Sequence, residues 1–329
     1  MILGIESTAH TFGVGVVENG KILANEKDSY TTESGGIIPV DAAKHHAEIV
    51  ESVYQKALEK ANINEKEIKA IAFSQGPGLA PCLLEGLRFM KKLSSKLKVP
   101  VVPVNHCIAH LEIGKITGCK DPVLLYASGA NTQIIAYESG KYRIFGETLD
   151  QGVGNFIDKF ARFSGLGFPG GLRIQELAEK SNEKNYVELP YSIKGMDVSF
   201  SGMLTKLRQL LESGKEKLGD LCFSLQETAF AMLVEASERA LAHTGKKELL
   251  LGGGVACNTR LQEMCRIMCK ERGAKFFVPE NSLLVDNAGM IAFLGGIMWK
   301  KGIKVKGKEI EKLDIMPRQR TDDIKVSWK

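Results

Sequence analysis

The sequence has no long apolar run, and this absence excludes one broad class of protein. Although 44% of its 329 residues are hydrophobic, no apolar stretch approaches the roughly twenty residues that cross a bilayer. The first residues, Met1 to Glu6, also lack the charged and apolar regions of a signal peptide. We therefore expect a globular, cytoplasmic protein that makes no use of a membrane.

Cysteine is infrequent and has no regular spacing. The seven cysteines are an odd number, run from Cys82 to Cys269, and lack the paired spacings of a zinc ribbon or a disulfide framework. Cys265 and Cys269 lie one helical turn apart, but small buried residues on an apolar helix face are commoner than metal ligands at that spacing. We expect reduced thiols, with Cys265 and Cys269 in the core.

A strong net charge is also missing. The formal charge is only +5, and residues 300–329 carry ten basic against five acidic side chains, an excess equal to that of the whole chain. Such a segment can attract nucleic-acid phosphates, although a solvated tail or a protein-docking segment is the commoner explanation. The composition therefore gives a polyanionic partner only modest support.

Two stretches of the chain repeat the same order of elements. An apolar strand from Ile2 to Glu6 precedes a hairpin that turns at Asn19-Gly20, and a strand from Leu124 to Ser128 precedes a hairpin that turns at Ser139-Gly140. Each hairpin is followed by alternating helices and strands, so the repeat predicts two similar α/β lobes facing one cleft. The predicted division is residues 1–120 and 297–329 for the first lobe and residues 121–296, with a helical insertion, for the second.

Periodic apolar residues predict the main helices. The clearest helical spacing covers Asp41 to Ala61, about Leu83 to Lys96, Asp220 to His243, and a final apolar helix from Asp286 to Trp299.

The chain has only six histidines, yet two of them have a spacing that suits metal ligands. His106 and His110 lie four positions apart in a predicted helix, which turns both imidazoles onto one face. Two imidazoles supply half of a transition-metal site, and Asp286 and Tyr126 are candidates for the rest. A chance pair is an equal alternative from spacing alone. Because Cys107 stands where a helical zinc protease has its Glu, a metalloprotease is not favoured.

Glycine-bearing turns occur at corresponding places in the two predicted lobes. The turns at Glu6-Ser7-Thr8 and at 128–132 allow backbone N–H groups to approach phosphate oxygens. Three glycines at 252–254, just before Asn258, suit a base and ribose lying on backbone. Together these turns indicate an adenine nucleotide. Asp158 is a candidate for a ribose hydroxyl, and a salt bridge to Arg162, one turn on, is equally compatible with the spacing.

Eight motifs, in one order along almost the whole chain, resemble a single family, the TsaD-like tRNA N6-adenosine threonylcarbamoyltransferases. The resemblance is to the archaeal and eukaryotic branch, which forms the catalytic subunit of the KEOPS complex. The motifs are Gly4 to Thr11, Gly76-Pro77-Gly78-Leu79, Asn105-His106 with His110, Ser128-Gly129 with Asn131-Thr132, Gly195 to Gly202, Gly252 to Ala256 with Asn258, Asp286-Asn287 with Met290, and Pro317-Arg318 with Arg320-Thr321-Asp322.

The resemblance implies a fold like that of the actin, sugar kinase and Hsp70 superfamily, which is ribonuclease H-like, with a nucleotide cleft between the lobes. It implies a metal-assisted acyl transfer of the threonylcarbamoyl group from threonylcarbamoyl-AMP. The acceptor is the N6 amine of the adenosine 3′ of the anticodon in tRNAs that read codons starting with A. The alternative is an ATP-binding phosphotransferase or a nucleotide-sensing ATPase of the same superfamily.

The resemblance also implies the site residues and the partners. It assigns catalytic roles to His106, His110 and Asp286, which would hold one divalent iron, or zinc as the alternative, with Tyr126 as a further ligand. Implied partners are the KEOPS subunits, namely a small protein kinase-like ATPase and small scaffold subunits, with tRNA bound through the complex. The implied nucleotide contacts are Tyr126, Ala127, Ser128, Gly129, Ala130, Asp158, Gly171, Gln175 and Asn258.

The chain departs from the family pattern at several of these positions. Ala130 stands where a second Gly is usual, Leu172 where Pro is usual, and Gln175 where Glu commonly binds the ribose. A Gln can hydrogen-bond a hydroxyl but loses charge-assisted acceptance. Ile38 and Val40, beside the Gly35-Gly36-Ile37 segment, replace residues that are usually polar.

Overall fold

Two series of strands and helices follow one another along the chain. The computed structural model describes residues 1–32, 36–181 and 185–329. Its strands are β1 Ile2–Glu6, β2 Thr11–Glu18, β3 Lys21–Ser29, β4 Ala70–Gly76, β5 Val101–Asn105, β6 Val123–Ala127, β7 Thr132–Glu138, β8 Lys141–Glu147, β9 Ile193–Lys194, β10 Asp197–Val198, β11 Glu248–Gly252 and β12 Lys275–Phe277. Its helices are α1 Pro39–Ala61, α2 Ala80–Leu97, α3 His106–Ile113, α4 Val153–Phe163, α5 Gly171–Lys180, α6 Ser201–Ser213, α7 Leu218–Thr244, α8 Thr259–Glu271, α9 Asn281–Leu284 and α10 Ala288–Lys300.

Four helix starts differ from the prediction by two or three residues, and two of them have a clear local reason. Helix α1 begins at Pro39, since proline in a first turn has no N–H to leave unpaired and its ring already holds a helical φ. Helix α10 begins at Ala288 because the Asn287 side chain caps it, accepting the Met290 N–H at 2.9 Å. Asp286 therefore precedes the cap, and its carboxylate belongs to a connecting segment rather than to the helix.

The predicted repeat is confirmed by the two large sheets. The first has the strand order β3-β2-β1-β4-β5 and the second β12-β11-β6-β7-β8. In each sheet the first three strands of the series are antiparallel neighbours in chain order. The first of them also pairs in parallel with a later strand, β1 with β4 and β6 with β11. Two copies of one α/β unit therefore make up the molecule.

Alternate side chains of each sheet enter different cores. Leu3 and Ile5 of β1 pack with α1 and α2, whereas Ile2 faces the core between the lobes. In β6, Leu125 enters the core beneath α7, and Leu124 faces the shared core. Helices α3 and α10 contribute to this shared core, so they lie between the two sheets. A helix in that position can present side chains to a cleft bordered by both lobes.

The lobe boundaries near residues 120 and 297 stay predictions. Helix α10, most of which that division assigns to the second lobe, packs against β1, β2 and β4 of the first sheet. Its contacts favour placing the whole helix with the first lobe.

The oxidation state of the cysteines and the hydropathy of the helices agree with what the composition predicted. All seven cysteines are free thiols, and Cys265 and Cys269 are buried in the core as predicted. Among the helices of the described ranges, none has both the length and the apolar character needed to cross a bilayer.

Candidate functional site

Helix α3 carries the predicted histidine pair at the inner end of a cleft. The helix starts directly after β5, where the Asn105 side chain caps it by accepting the Ile108 N–H at 3.0 Å. His106 and His110 are both buried, and their ring centroids lie 4.7 Å apart. The four-residue spacing thus places both imidazoles on one helix face, as predicted.

Asp286 meets the histidine pair from a distant part of the chain. Its Oδ1 lies 3.3 Å from His106 Nε2 and 3.4 Å from His110 Nε2. One donor atom from each of the three residues lies within 4.8 Å of the others. The structure therefore brings together the three residues that the sequence proposed as ligands.

Glu6 determines which nitrogen of His106 faces this cluster. Its Oε2 lies 3.0 Å from His106 Nδ1, and its Oε1 accepts the Thr8 N–H at 2.7 Å. When His106 is neutral, a fully buried carboxylate at Nδ1 selects the Nδ1–H tautomer, so Nε2 is the nitrogen that a metal can bind. Metal-ligating histidines commonly have such a carboxylate behind them. The sequence had indicated a phosphate turn at Glu6 but not this contact, because the contact spans 100 residues.

The buried charges shift the pKa values of the cluster in different directions. Burial alone would lower the pKa of His106, but the carboxylates of Glu6 and Asp286 outweigh it and raise that pKa well above the usual value. Burial lowers the pKa of His110, which the nearby Asp286 only partly opposes. Burial would raise the pKa of Asp286, but the two imidazoles hold it well below its usual range. Before any metal binds, one imidazole is thus cationic and the other neutral.

The donor set fits a transition metal such as iron or zinc. Two imidazole nitrogens and one carboxylate oxygen suit both ions, and the Glu6 contact orients one of the imidazoles. Tyr126 lies beside the set, with its ring centroid 5.0 Å from that of His110. Burial raises the pKa of Tyr126 well above its usual value, so the phenol stays neutral without a metal. Its role as a further ligand stays a prediction.

A cleft of about 590 Å³ opens beside the three candidate ligands. Seven of the predicted site residues line it, and half of the other lining residues come from the turns that follow β1, β4 and β6. The lining residues are Thr8, Ala9, His10, Gly36, Ile37, Pro77, Gly78, Leu79, His106, Tyr126, Ser128, Gly129, Ala130, Asn131, Asn155, Asp158, Lys159, Arg162, Phe168, Asp286 and Pro317.

The turn after β6 has backbone donors available for an anion. The Ser128 N–H is occupied, since it donates to the Asn131 carbonyl at 2.8 Å, and the Gly154 N–H of α4 donates to Ser128 at 3.1 Å. The N–H groups of Gly129 and Ala130 make no hydrogen bond to any residue of the described ranges. Gly129 and Ala130 therefore have free backbone donors of the kind that bind an anion, and the phosphate contacts of Ser128, Gly129 and Ala130 stay predictions.

The glycine turn at 252–254 closely approaches the end of β6. Gly253 has a φ of +89°, and a Cβ at this position would lie 2.3 Å from the Ala127 carbonyl oxygen. Both the left-handed backbone and the close approach exclude a larger residue. The turn packs against the end of β6 and so helps to fix the loop that carries Gly129.

Asp158 lines the cleft from α4 and is held in place by a backbone contact. Its Oδ1 accepts the Gly170 N–H at 2.8 Å. Burial raises the pKa of Asp158 above its usual value, opposed by this hydrogen bond and by the charge of Arg162. The predicted alternative, a salt bridge to Arg162, is not found among the ion pairs of the described residues.

Gln175 and Asn258 have other partners in the structure. The Asn258 side chain caps α8 and donates to Gln226 Oε1 at 2.6 Å. Gln175 Nε2 donates to the Thr259 hydroxyl at 2.9 Å, so the two predicted contacts lie next to each other. Neither residue lines the cleft, nor do Ala127, Gly171 or the buried His110. The nucleotide contacts of Gln175, Asn258, Ala127 and Gly171 stay predictions.

Several cleft residues were not predicted from the sequence. Ile37, Phe168 and Pro317 come from three separate loops, and loop residues carry no periodic signal. A signal for Pro317 was present in the motif at 317–322, whose role the sequence left open. Gly35 of the neighbouring glycine segment lies outside the described residues.

Comparisons with known proteins agree on one family. The family described as TsaD, tRNA N6-adenosine threonylcarbamoyltransferase, matches residues 21–293. A Thermococcus sibiricus protein named tRNA N6-adenosine threonylcarbamoyltransferase is 53% identical over 326 residues, which cover 99% of each chain. A Methanosarcina mazei protein named probable bifunctional tRNA threonylcarbamoyladenosine biosynthesis protein is 51% identical, and the match covers 99% of this chain but 59% of that protein.

A solved structure supports the fold alone. The crystal structure of HypF from T. kodakarensis superposes with a TM-score of 0.59 at 14% identity, over 94% of this chain and 49% of HypF. Such low identity carries no statement about activity, and the superposition agrees with the two-lobed α/β fold that the sequence predicted. From the family match and from relatives that are more than half identical along almost the whole chain, we conclude that this protein belongs to the TsaD family of tRNA N6-adenosine threonylcarbamoyltransferases, which form threonylcarbamoyladenosine on tRNA.

Proposed function

We propose that the cleft binds threonylcarbamoyl-AMP beside a divalent metal held by His106, His110 and Asp286. The observation that carries this proposal is the meeting of two imidazoles and one carboxylate, from segments 176 residues apart, at the inner end of the cleft. The acceptor is the N6 amine of the adenosine 3′ of the anticodon in tRNAs that read codons starting with A. Family membership favours this transfer over the alternative of an ATP-binding phosphotransferase or nucleotide-sensing ATPase.

The chain's own groups account for the binding of the two ends of this substrate. The free N–H groups of Gly129 and Ala130 suit the phosphate of the adenylate, and the Asp158 carboxylate suits a ribose hydroxyl. A divalent metal, when bound, supplies a Lewis acid that polarises the transferred carbonyl. Phe168 and Leu79 form part of an apolar wall that limits water near the reactive mixed anhydride.

The transfer needs no covalent enzyme intermediate. The adenosine amine attacks the threonylcarbamoyl carbonyl, a C–N bond forms, the C–O bond to the phosphate breaks, and AMP leaves as one amine proton is lost. Cys107, the thiol nearest in sequence to the candidate ligands, is buried in the shared core, and burial raises its pKa. A buried neutral thiol is a poor nucleophile, so direct transfer is the simpler route.

We predict that metal binding near pH 7 releases one proton, from His106. The pKa of His106 is raised well above 6.5, so the metal-free side chain is protonated and must lose its proton to become a ligand. His110, with a lowered pKa, is already neutral. Affinity should therefore rise about tenfold for each pH unit until the pH passes the raised pKa of His106. Calorimetry of Zn²⁺ binding in buffers of different ionisation enthalpy counts the released protons.

Glu6→Gln is the matched control for this proton count. The amide keeps the shape of the side chain but removes the negative charge that faces His106 Nδ1 at 3.0 Å. The variant should release less than one proton and bind Zn²⁺ about 10-fold to 100-fold more weakly. Proton release equal in the two proteins would contradict the assignment of the released proton to His106.

We predict that Asp158→Ala weakens binding of a non-hydrolysable threonylcarbamoyl-AMP analogue by about tenfold. Loss of one charge-assisted hydrogen bond corresponds to roughly 1.5 kcal/mol. Calorimetric titration measures the change. Asp150→Ala would be a poor control, because the Asp150 carboxylate accepts the backbone N–H groups of Phe200 and Ser201. Glu271→Ala, which removes an exposed carboxylate at the end of α8 that does not line the cleft, is a suitable one. Unchanged affinity in Asp158→Ala would remove this residue from the nucleotide site.

The metal, the partners and the location complete the proposal. We expect iron in the site, with zinc as the alternative, because imidazole and carboxylate suit both. The bifunctional name of the M. mazei relative supports a second activity that works with this chain in the same pathway. KEOPS subunits, a small kinase-like ATPase among them, are the expected partners, with tRNA held by the assembly. A cytoplasmic location follows from a tRNA substrate.

A further inference from the structure

The last residues of the chain cross the back of the metal-ligand helix and attach to both lobes. We define residues 314–329 as the C-terminal strap. Near its start, the Met316 N–H donates to the Gln75 carbonyl at 2.8 Å, and the Pro317 carbonyl accepts the Gly78 N–H at 3.1 Å. These backbone bonds fix the strap to the end of β4, at the edge of the cleft.

The strap next contacts the first turn of α3. Gln319 Oε1 accepts from Asn105 Nδ2 at 3.0 Å, while Asn105 Oδ1 accepts the Ile108 N–H at 3.0 Å. The cap amide of α3 is thus held between the helix and a residue 214 positions away. Two residues further along the strap, the buried Thr321 lies close enough to Cys107 to oppose the rise in the pKa of its thiol. The residue between Asn105 and Cys107 is His106.

The strap then reaches the last turn of the same helix. Trp328 Nε1 donates to Glu112 Oε1 at 3.1 Å, and the Tyr142 hydroxyl of the second lobe donates to the same oxygen. Glu112 is fully buried, so these two donors and Lys115 compensate its carboxylate for the loss of water. The Val326 N–H also donates to the Gly140 carbonyl in the turn between β7 and β8 at 3.2 Å.

Helix α3 needs such support because it is short. It has eight residues, and a two-turn helix is marginal in water without tertiary contacts. Both candidate ligands lie on it, and ligand groups must be held to within about half an ångström for a working site. The strap contacts both of its ends and leaves the face with the imidazoles directed at Asp286.

We propose that the C-terminal strap positions α3, with Gln319 and Trp328 as positioning residues that set the geometry of His106 and His110. This inference rests on the proposed metal site. It gives a role to the motif at 317–322, of which only Pro317 lines the cleft.

The test compares single variants of the full chain. Gln319→Ala removes the acceptor for Asn105 Nδ2, Gln319→Glu keeps an acceptor there, and Trp328→Phe keeps a ring but removes the N–H. Arg318→Ala, at an exposed neighbouring position on the strap, is the matched control. We expect Gln319→Ala and Trp328→Phe to bind Co²⁺ about tenfold more weakly, with an altered visible spectrum. Gln319→Glu should recover most of the wild-type affinity, and Arg318→Ala should match wild type.

Amide hydrogen exchange of α3 without metal gives the second readout. Faster exchange at Ile108 in Gln319→Ala, with unchanged exchange in the first sheet, would support a local positioning role. Wild-type Co²⁺ affinity and wild-type exchange in both Gln319→Ala and Trp328→Phe would overturn it. If wild type itself binds Co²⁺ no better than His110→Ala, the proposed metal site fails, and the exchange result alone then decides whether the strap orders α3.

Discussion

Replacing His110 or Asp286 by alanine should reduce threonylcarbamoyl transfer by about a thousandfold or more while the chain stays folded. Each change removes one of three donors that lie within 4.8 Å of one another. Loss of a metal's stabilisation of transition-state charge is worth several kcal/mol, and about 4 kcal/mol corresponds to a thousandfold in rate. The fold should survive loss of His110, because Nδ1 makes no hydrogen bond among the described residues and Nε2 contacts only Asp286, at 3.4 Å.

The measurement is transfer of labelled threonylcarbamoyl from its adenylate to tRNA, together with the metal content and the unfolding curve of each variant. His243→Ala is the matched control, since this exposed imidazole lies at the end of α7, remote from the cleft. It should retain wild-type activity and metal content. Wild-type turnover by a folded, metal-free His110→Ala or Asp286→Ala protein would discard the metal role.

Gly4→Ala should destabilise the protein by about 3 kcal/mol, because α10 packs too closely on β1 to admit a methyl group. A Cβ on Gly4 would lie 2.4 Å from the Ala288 carbonyl oxygen and 2.5 Å from the Ala292 nitrogen. Both are backbone atoms, so the helix itself must move, and overpacking of this kind costs about 1 to 3 kcal/mol or more. Asp286 comes just before α10, and we expect its displacement to weaken metal binding as well.

Gly296→Ala tests the same interface without the clash. A Cβ there would lie 3.6 Å from Ile2 Cγ1, an ordinary contact, and alanine is favoured over glycine within a helix by up to about 1 kcal/mol. Urea unfolding should therefore show Gly296→Ala at least as stable as wild type and Gly4→Ala much less stable. Equal stability of Gly4→Ala and wild type would mean that α10 does not pack on β1 as described.

Local periodicity was enough to predict most elements of this fold. The bounds of β1 agree with the prediction, and α7 spans 218–244 where 220–243 was predicted. Apolar residues repeat every two positions in half-buried strands and every three to four in helices, and this pattern needs no knowledge of distant residues. The order of turns and hairpins likewise revealed the repeat. Helix starts were less accurate where a cap, such as Asn287, decided them.

The candidate site divides in the same way. His106 and His110 were predicted from spacing, because four residues along a helix define one face. Asp286 was a candidate whose position no local pattern could test. Glu6, which selects the tautomer of His106, had been interpreted as part of a phosphate turn. Gln319, which holds the cap of α3, had no predicted role.

The sequence by itself determined the two α/β units, the histidine face and the family. Each depends on residues close in the chain or on motifs in a fixed order. Only the tertiary structure decided that Asp286 and Glu6 meet His106 from opposite sides and that the C-terminal strap holds α3 at both ends. These contacts join residues 100 to 216 positions apart. Their distances depend on how sheets and helices pack, and such packing leaves no periodic signal in the chain.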